Sequence, residues 1–222
     1  MTIHWPLPAG MSAAIFLADY WQKKPLLIKS AFPDFVTPLS PEEIAGMACE
    51  DGIDARLVTA QESNTSWQLR HGPFEPVEFT RLPAERWTIL VQEVHKYVPQ
   101  LAQLLESFRF IPNWRVDDIM VSYAPLNGSV GPHIDQYDVF LLQAMGHKRW
   151  DIAHVSREDA KLIEHDELRL LAAFEAQQSW ELEPGDMLYL PPGVAHHGVA
   201  LDSNITYSIG FRAPAERDLI LS

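Results

Sequence analysis

The chain has 222 residues, 17 of them Lys or Arg and 30 Asp or Glu, for a formal net charge of −13. An apolar share of 47% with 21% charged residues is a globular composition and excludes wholesale disorder. No apolar run approaches the ~18 residues a spanning helix needs, which excludes a helical membrane protein. The acidic balance repels phosphate backbones, so direct nucleic-acid binding is not expected. It either attracts a basic partner or simply keeps the protein soluble. The N-terminal ten residues carry no Lys or Arg and do not read as a secretory signal. A single cysteine, Cys49, excludes a disulfide framework and fits a reducing cytoplasm.

In chain order, 13–22 reads as a short helix stopped by Pro25, and Leu26-Leu27-Ile28 as a short strand. Ser40-Pro41-Glu42-Glu43 is a helix start, with Ser40 at the N-cap, Pro41 at the first helical position and Glu43 closing a capping box. That helix runs to about Glu50 and ends at Asp51-Gly52. Stretches 56–59 and 66–70 read as strands. A further helix is expected over 84–97, with Trp87, Leu90, Val91 and Val94 on one face, and another turn or two over 101–108.

After Pro112 the pattern changes. Strands are expected at 118–123, 133–144, 148–153, 179–182, 186–190 and 205–211, punctuated by Asn127-Gly128, Met145-Gly146, Pro184-Gly185 and Pro191-Pro192-Gly193. Many short strands with this punctuation suggest a sandwich or barrel. One helical insertion is expected at 158–173. The division expected is a helical and strand wrap over 1–112, a barrel core over 113–214, and the start of a helical region over 215–222 that looks clipped.

Two local patterns carry chemistry. In Gly131-Pro132-His133-Ile134-Asp135, residues two apart on a strand face one side, so His133 and Asp135 project together. Alone, this pair is a weak signal. The second pattern, Gly185 through Pro191 and Gly193 to His196, is a turn, a buried strand and a rigid proline turn that swings a histidine back over the barrel mouth. It resembles the second motif of cupin barrels. Two histidines and one carboxylate with open coordination positions are the donor set of non-haem Fe(II) oxygenases. Such an iron leaves room for a 2-oxoacid and for O2. A 2-oxoglutarate co-substrate also needs a cation for its distal carboxylate. Lys148 and Arg149 are both candidates, and periodicity does not choose between them. His197 competes with His196 for the third ligand position, but the motif spacing favours His196. His147 reads as an exposed turn residue.

The segments 20–28, 117–122, 131–142, 185–196 and 207–214 together resemble the bacterial JmjC-type ribosomal oxygenases, and the resemblance covers nearly the whole chain. It implies a mainly β fold with some α, a double-stranded β-helix of the cupin/JmjC jelly-roll kind under an N-terminal helical wrap. It implies Fe(II) and 2-oxoglutarate with O2, with His133, Asp135 and His196 as metal ligands and Lys148 as the basic residue for 2-oxoglutarate. Ser122 and Ser208, on core strands, are candidates for added hydroxyl contacts to it. The activity implied is hydroxylation of an arginine side chain in a basic large-subunit ribosomal protein, in the cytoplasm. Relatives continue into a C-terminal helical region, so a homodimer through a part missing from this chain is conceivable.

An arginine entering the barrel needs carboxylates and flat side chains. Asp118, Tyr137 and Asp138 are candidates because they sit beside the motif strands. The competing reading gives Tyr137 and Asp138 structural hydrogen bonds and makes Asp117 and Asp118 a solvated pair. The alternatives to arginine hydroxylation are a lysyl or histidyl hydroxylase or a demethylase on the same scaffold, a non-catalytic cupin that binds a basic protein, and a cupin isomerase. The last would have a glutamate after the first motif, which 134–142 lacks.

Overall fold

A computed structural model of the chain describes residues 5–60, 66–156 and 160–212. In chain order its elements are α1 (Ala13–Asp19), β1 (Leu26–Ile28), α2 (Pro41–Met47), β2 (Ala55–Ala60), β3 (Trp67–His71), α3 (Pro76–Phe79), β4 (Trp87–Val91), α4 (Pro99–Leu104), β5 (Val116–Ala124), β6 (His133–Ile134), β7 (Asp138–Met145), β8 (Lys148–Ala153), β9 (Gln178–Leu182), β10 (Met187–Leu190), β11 (Ala195–Ala200) and β12 (Asn204–Phe211). Short 3-10 turns lie at Val94–Lys96, Leu105–Phe108 and Asn113–Arg115. The capping box of α2 forms as its residue types require: Ser40 accepts from the Glu43 backbone N–H and the Glu43 carboxylate accepts from that of Ser40.

The strands make two antiparallel sheets, one of eight in the order β1-β10-β7-β12-β5-β4-β2-β3 and one of four in the order β6-β11-β8-β9. This is the double-stranded β-helix. The N-terminal strands extend its larger sheet, with β1 pairing β10 and β4 pairing β5. Both faces of that sheet are covered. On β7, Phe140 and Leu142 turn outward into an aromatic core with Phe16, Phe108, Tyr189 and Phe211, while Val139 and Leu141 turn inward to Trp150, Ile152 and Leu188. A strand buried on both faces has no polar alternation, which is why β7 reads as one apolar run.

The same property corrects the helix expected at 84–97. Trp87–Val91 is a strand, followed by a 3-10 turn. Ile89 and Val91 enter the outer core, whereas Thr88 and Leu90 face the space between the sheets. A short apolar run looks alike in a buried helix and a buried strand. The strand expected over 133–144 is two strands, because the chain crosses from the small sheet to the large one at 135–137.

The helix expected at 158–173 is absent from its described part, 160–173, while 157–159 lie outside the described residues. This segment is extended. It bridges Leu170 to His133 and Leu162 to Leu171, and the Leu171 N–H donates to the Pro132 carbonyl at 2.8 Å. Leu170 fills the notch over Gly131, where a Cβ would stand 2.7 Å from its Cδ1. The helical start expected at 215–222 also lies outside the described residues.

Candidate functional site

β6 and β11 bring the first motif to the second. They pair so that His133 and His196 are direct cross-strand partners. His196 is therefore a strand residue and not part of the proline turn, which ends just before it; β11 was not foreseen from the sequence. The imidazole centroids stand 4.2 Å apart. Asp135 follows two residues after His133, at the point where the chain leaves β6. Its Oδ1 lies 3.8 Å from His133 Nε2 and its Oδ2 lies 3.6 Å from His196 Nε2. One donor atom from each of the three residues falls within 4.8 Å of the others.

The backbone sets the tautomers. His133 Nδ1 lies 2.9 Å from the Gly131 carbonyl and His196 Nδ1 lies 3.0 Å from the Val194 carbonyl. A carbonyl only accepts, so both Nδ1 atoms carry the proton and both Nε2 lone pairs face Asp135. This orientation of ligating histidines by backbone carbonyls is the usual outer support of a metal site. Burial, and then the neighbouring His133, push the His196 pKa down to about 4, so its ring is neutral at pH 7. Two imidazoles presenting Nε2 and one carboxylate fit a divalent cation.

A narrow cleft adjoins this cluster, lined among others by Ser122, Leu141, Lys148, Trp150, Thr206 and Ser208. Lys148 is buried on β8, and its Nζ sits 4.8 Å from the Trp150 ring centroid. No described carboxylate pairs with it, and burial alone pushes its pKa down to about 8. Arg149 points the other way and pairs with Asp151 at 3.1 Å. Of the two residues that periodicity left equal, Lys148 lines the cleft and Arg149 does not.

Ser122, Thr206 and Gln143 form a polar row across neighbouring strands: the Thr206 hydroxyl donates to Gln143 Oε1 at 3.1 Å, and Ser122 is the cross-strand partner of Thr206. Thr88 joins this lining from β4, and its hydroxyl is buried without a hydrogen-bond partner among the described residues, as is Trp150 Nε1. Thr88 was missed because 84–97 read as a helix. A period-two reading of 87–91 would have put it on the cavity face.

The other sequence candidates separate. Asp118 shares a face of β5 with Met120 and Ser122, both of which line the cleft. It is half-buried, whereas Asp117 is exposed. Burial, then the Asp117 charge, raise its pKa to about 6, and no cation stands at ion-pair distance among the described residues. Asp117 instead pairs with Arg212 at 2.8 Å. Tyr137 stands at the mouth, 38% exposed, where burial and the Asp135 carboxylate both keep its phenol protonated.

Asp138 does not join the group. It lies on the opposite face of β7, fully buried, and accepts from the Tyr189 hydroxyl and from Gln22 Nε2. Period two on β7 puts it with Phe140, away from Val139 and Leu141, so its part is structural. His197 likewise faces away from the cluster, against the Phe174 ring, and His147 is exposed and pairs with Asp202 at 2.6 Å.

Comparisons with known proteins agree with this architecture. A model of the JmjC domain matches residues 103–219. The chain is 43% identical over 99% of its length to the ribosomal protein uL16 3-hydroxylase of Escherichia coli, covering 56% of that protein. It is 40% identical over 99% of its length to a probable ribosomal oxygenase of Haemophilus influenzae, covering 54% of it. It superposes on the crystal structure of E. coli YcfD with a TM-score of 0.87 at 43% identity, over 96% of this chain and 56% of that one. A structure of YcfD, described as a ribosomal oxygenase in complex with cobalt and 2-oxoglutarate, matches with a TM-score of 0.82 at 42% identity, over 96% of this chain and 54% of that one. The chain spans about half the length of the relatives it matches. Motifs, fold and comparisons lead to one assignment: this chain belongs to the JmjC-domain family.

Proposed function

We propose that the protein is an Fe(II)- and 2-oxoglutarate-dependent oxygenase that hydroxylates an arginine side chain of a large-subunit ribosomal protein. The observation that carries this reading is the convergence, in one cleft, of two imidazoles and a carboxylate with a buried ammonium that has no carboxylate partner among the described residues. A structural role explains neither half of that arrangement, since an unpaired buried cation is costly. His133, Asp135 and His196 would hold the metal. Iron with 2-oxoglutarate and O2 supplies, when bound, the oxidative decarboxylation to succinate and CO2 that inserts one oxygen atom into a C–H bond.

The protein's own residues do the positioning. Lys148 neutralises the distal carboxylate of the co-substrate, and the hydroxyls of Ser122, Ser208 and Thr88 are donors near it. Val139, Leu141 and Leu90 exclude water from the space between the anion and the metal cluster. Asp118, close enough to Tyr137 for the two to interact, is a carboxylate whose pKa is held high by burial and then by the Asp117 charge. A guanidinium would lower its pKa and offset its burial, which favours arginine over a neutral side chain. Tyr137 offers a flat face to the same group. The support for a ribosomal substrate is the similarity to proteins so described, together with the net charge of −13, which suits a basic partner. Such a substrate implies work in the cytoplasm. Among the described residues no helix is long and apolar enough to cross a membrane.

Four outcomes are expected. Incubation with Fe(II), ascorbate, 2-oxoglutarate and the basic ribosomal protein adds one oxygen atom's mass to an arginine-containing tryptic peptide. His133→Ala/His196→Ala abolishes this and all 2-oxoglutarate turnover; persistent turnover means the metal site lies elsewhere. Affinity for 2-oxoglutarate follows the free ammonium of Lys148, whose lowered pKa leaves it charged at pH 7 and neutral above about 8. Calorimetric Kd values should therefore rise above pH 8 by about tenfold per unit, and Lys148→Arg, which stays charged, should remove that slope. Asp118→Asn should raise the KM for the ribosomal substrate by roughly tenfold or more while leaving 2-oxoglutarate affinity unchanged. An unchanged KM would take Asp118 out of substrate recognition.

A further inference from the structure

Gly198 lies on β11 two residues past His196, on the same inward face, and its cross-strand partner is Trp150 of β8. Its backbone is not in the left-handed region, so conformation does not call for glycine here. Space does. A Cβ at 198 would stand 2.7 Å from Lys148 Cε and 2.7 Å from Trp150 Cζ3 and Cη2. The Lys148 stem therefore lies across a bare stretch of β11 and seats its ammonium on the Trp150 indole. That indole in turn stands 5.8 Å from the His196 ring. The spacing between the metal cluster and the ammonium is thus built on one missing side chain. Lys148 and Trp150 are both buried, and the open side of each is the cleft that they line, so a clash at 198 is relieved in that direction.

We infer that Gly198 is a specificity-determining position, whose lack of a side chain fixes the seat of the Lys148 ammonium and so the length of 2-oxo diacid the cleft accepts. The inference rests on the co-substrate reading given above. A methyl group at 198 displaces the Lys148 stem away from β11 and into the cleft, which shortens the distance available to the diacid. Gly198 touches neither substrate nor metal in this account. It acts through Lys148 and Trp150 as a positioning residue.

The test is calorimetry on Co(II)-loaded protein titrated with 2-oxoglutarate, with oxaloacetate as the diacid one carbon shorter, and with 2-oxoadipate as the one longer. Wild type should prefer 2-oxoglutarate. Gly198→Ala should weaken 2-oxoglutarate by roughly tenfold or more, as expected for a displaced charge-assisted contact, and shift the preference toward oxaloacetate. Co(II) affinity should stay unchanged. A purely structural glycine would lower thermal stability and leave the ratio of the three affinities at the wild-type value, and that result overturns the inference.

Should Gly198→Ala fail to fold, Trp150→Phe carries the test. It removes the far ring of the indole without adding a clash, and it should weaken 2-oxoglutarate and narrow the discrimination among the three diacids. A wild-type ratio in that variant also overturns the inference. If wild type binds Co(II) but none of the diacids, the functional reading itself fails and this inference falls with it.

Discussion

The register of β6 against β11 is the constraint on which the rest depends. It places His133 opposite His196, and the carbonyls of Gly131 and Val194 then fix which nitrogen of each ring faces the space between them. A slip of one residue would turn His196 outward and bring Ala195 or His197 into its place, because side chains on a strand alternate. Several devices hold that register. Leu170 and Leu171 lock the free edge of β6, and the Gly193 N–H donates to the Asp135 carbonyl at 2.8 Å. Residues 160–173 are thus part of the site's support even though none of them supplies a donor atom to the cluster.

The larger sheet contributes a second layer of constraint. Covered on its outer face by aromatic packing, it presents a rigid inner face on which Thr88, Ser122, Thr206 and Ser208 stand as hydroxyls in an otherwise apolar lining. A buried ammonium aimed at that lining is a poor arrangement for stability alone and a good one for seating an anion. The depression of the Lys148 pKa and the elevation of the Asp118 pKa are two forms of one condition. Each is an ionisable group withdrawn from water with no counter-charge at ion-pair distance among the described residues, one a cation lining the cleft and one an anion further along β5.

Much of this was legible in the chain itself. The turn residues located most core strands, and the spacing of His133, Asp135 and His196 singled out three residues that the fold brings together. What was not legible has physical causes. Residues 87–91 are apolar on both faces, so nothing in their pattern told strand from helix, and Thr88 was lost with them. The insertion before β9 carries leucines at spacings that suit a helix, but Leu170 is used instead to plug the notch at Gly131. Asp138 lies beside the motif in sequence yet across the sheet in space, since one residue along a strand reverses the face. The choice between Lys148 and Arg149 needed the sheet for the same reason.

The central claim is tested most directly by X-ray absorption at the iron edge of the Fe(II)-loaded protein, recorded anaerobically before and after addition of 2-oxoglutarate. The account predicts scattering from two imidazoles that persists when the co-substrate is added, with the remaining light-atom coordination changing around them. A spectrum with no imidazole contribution, or one that 2-oxoglutarate leaves untouched, would contradict it.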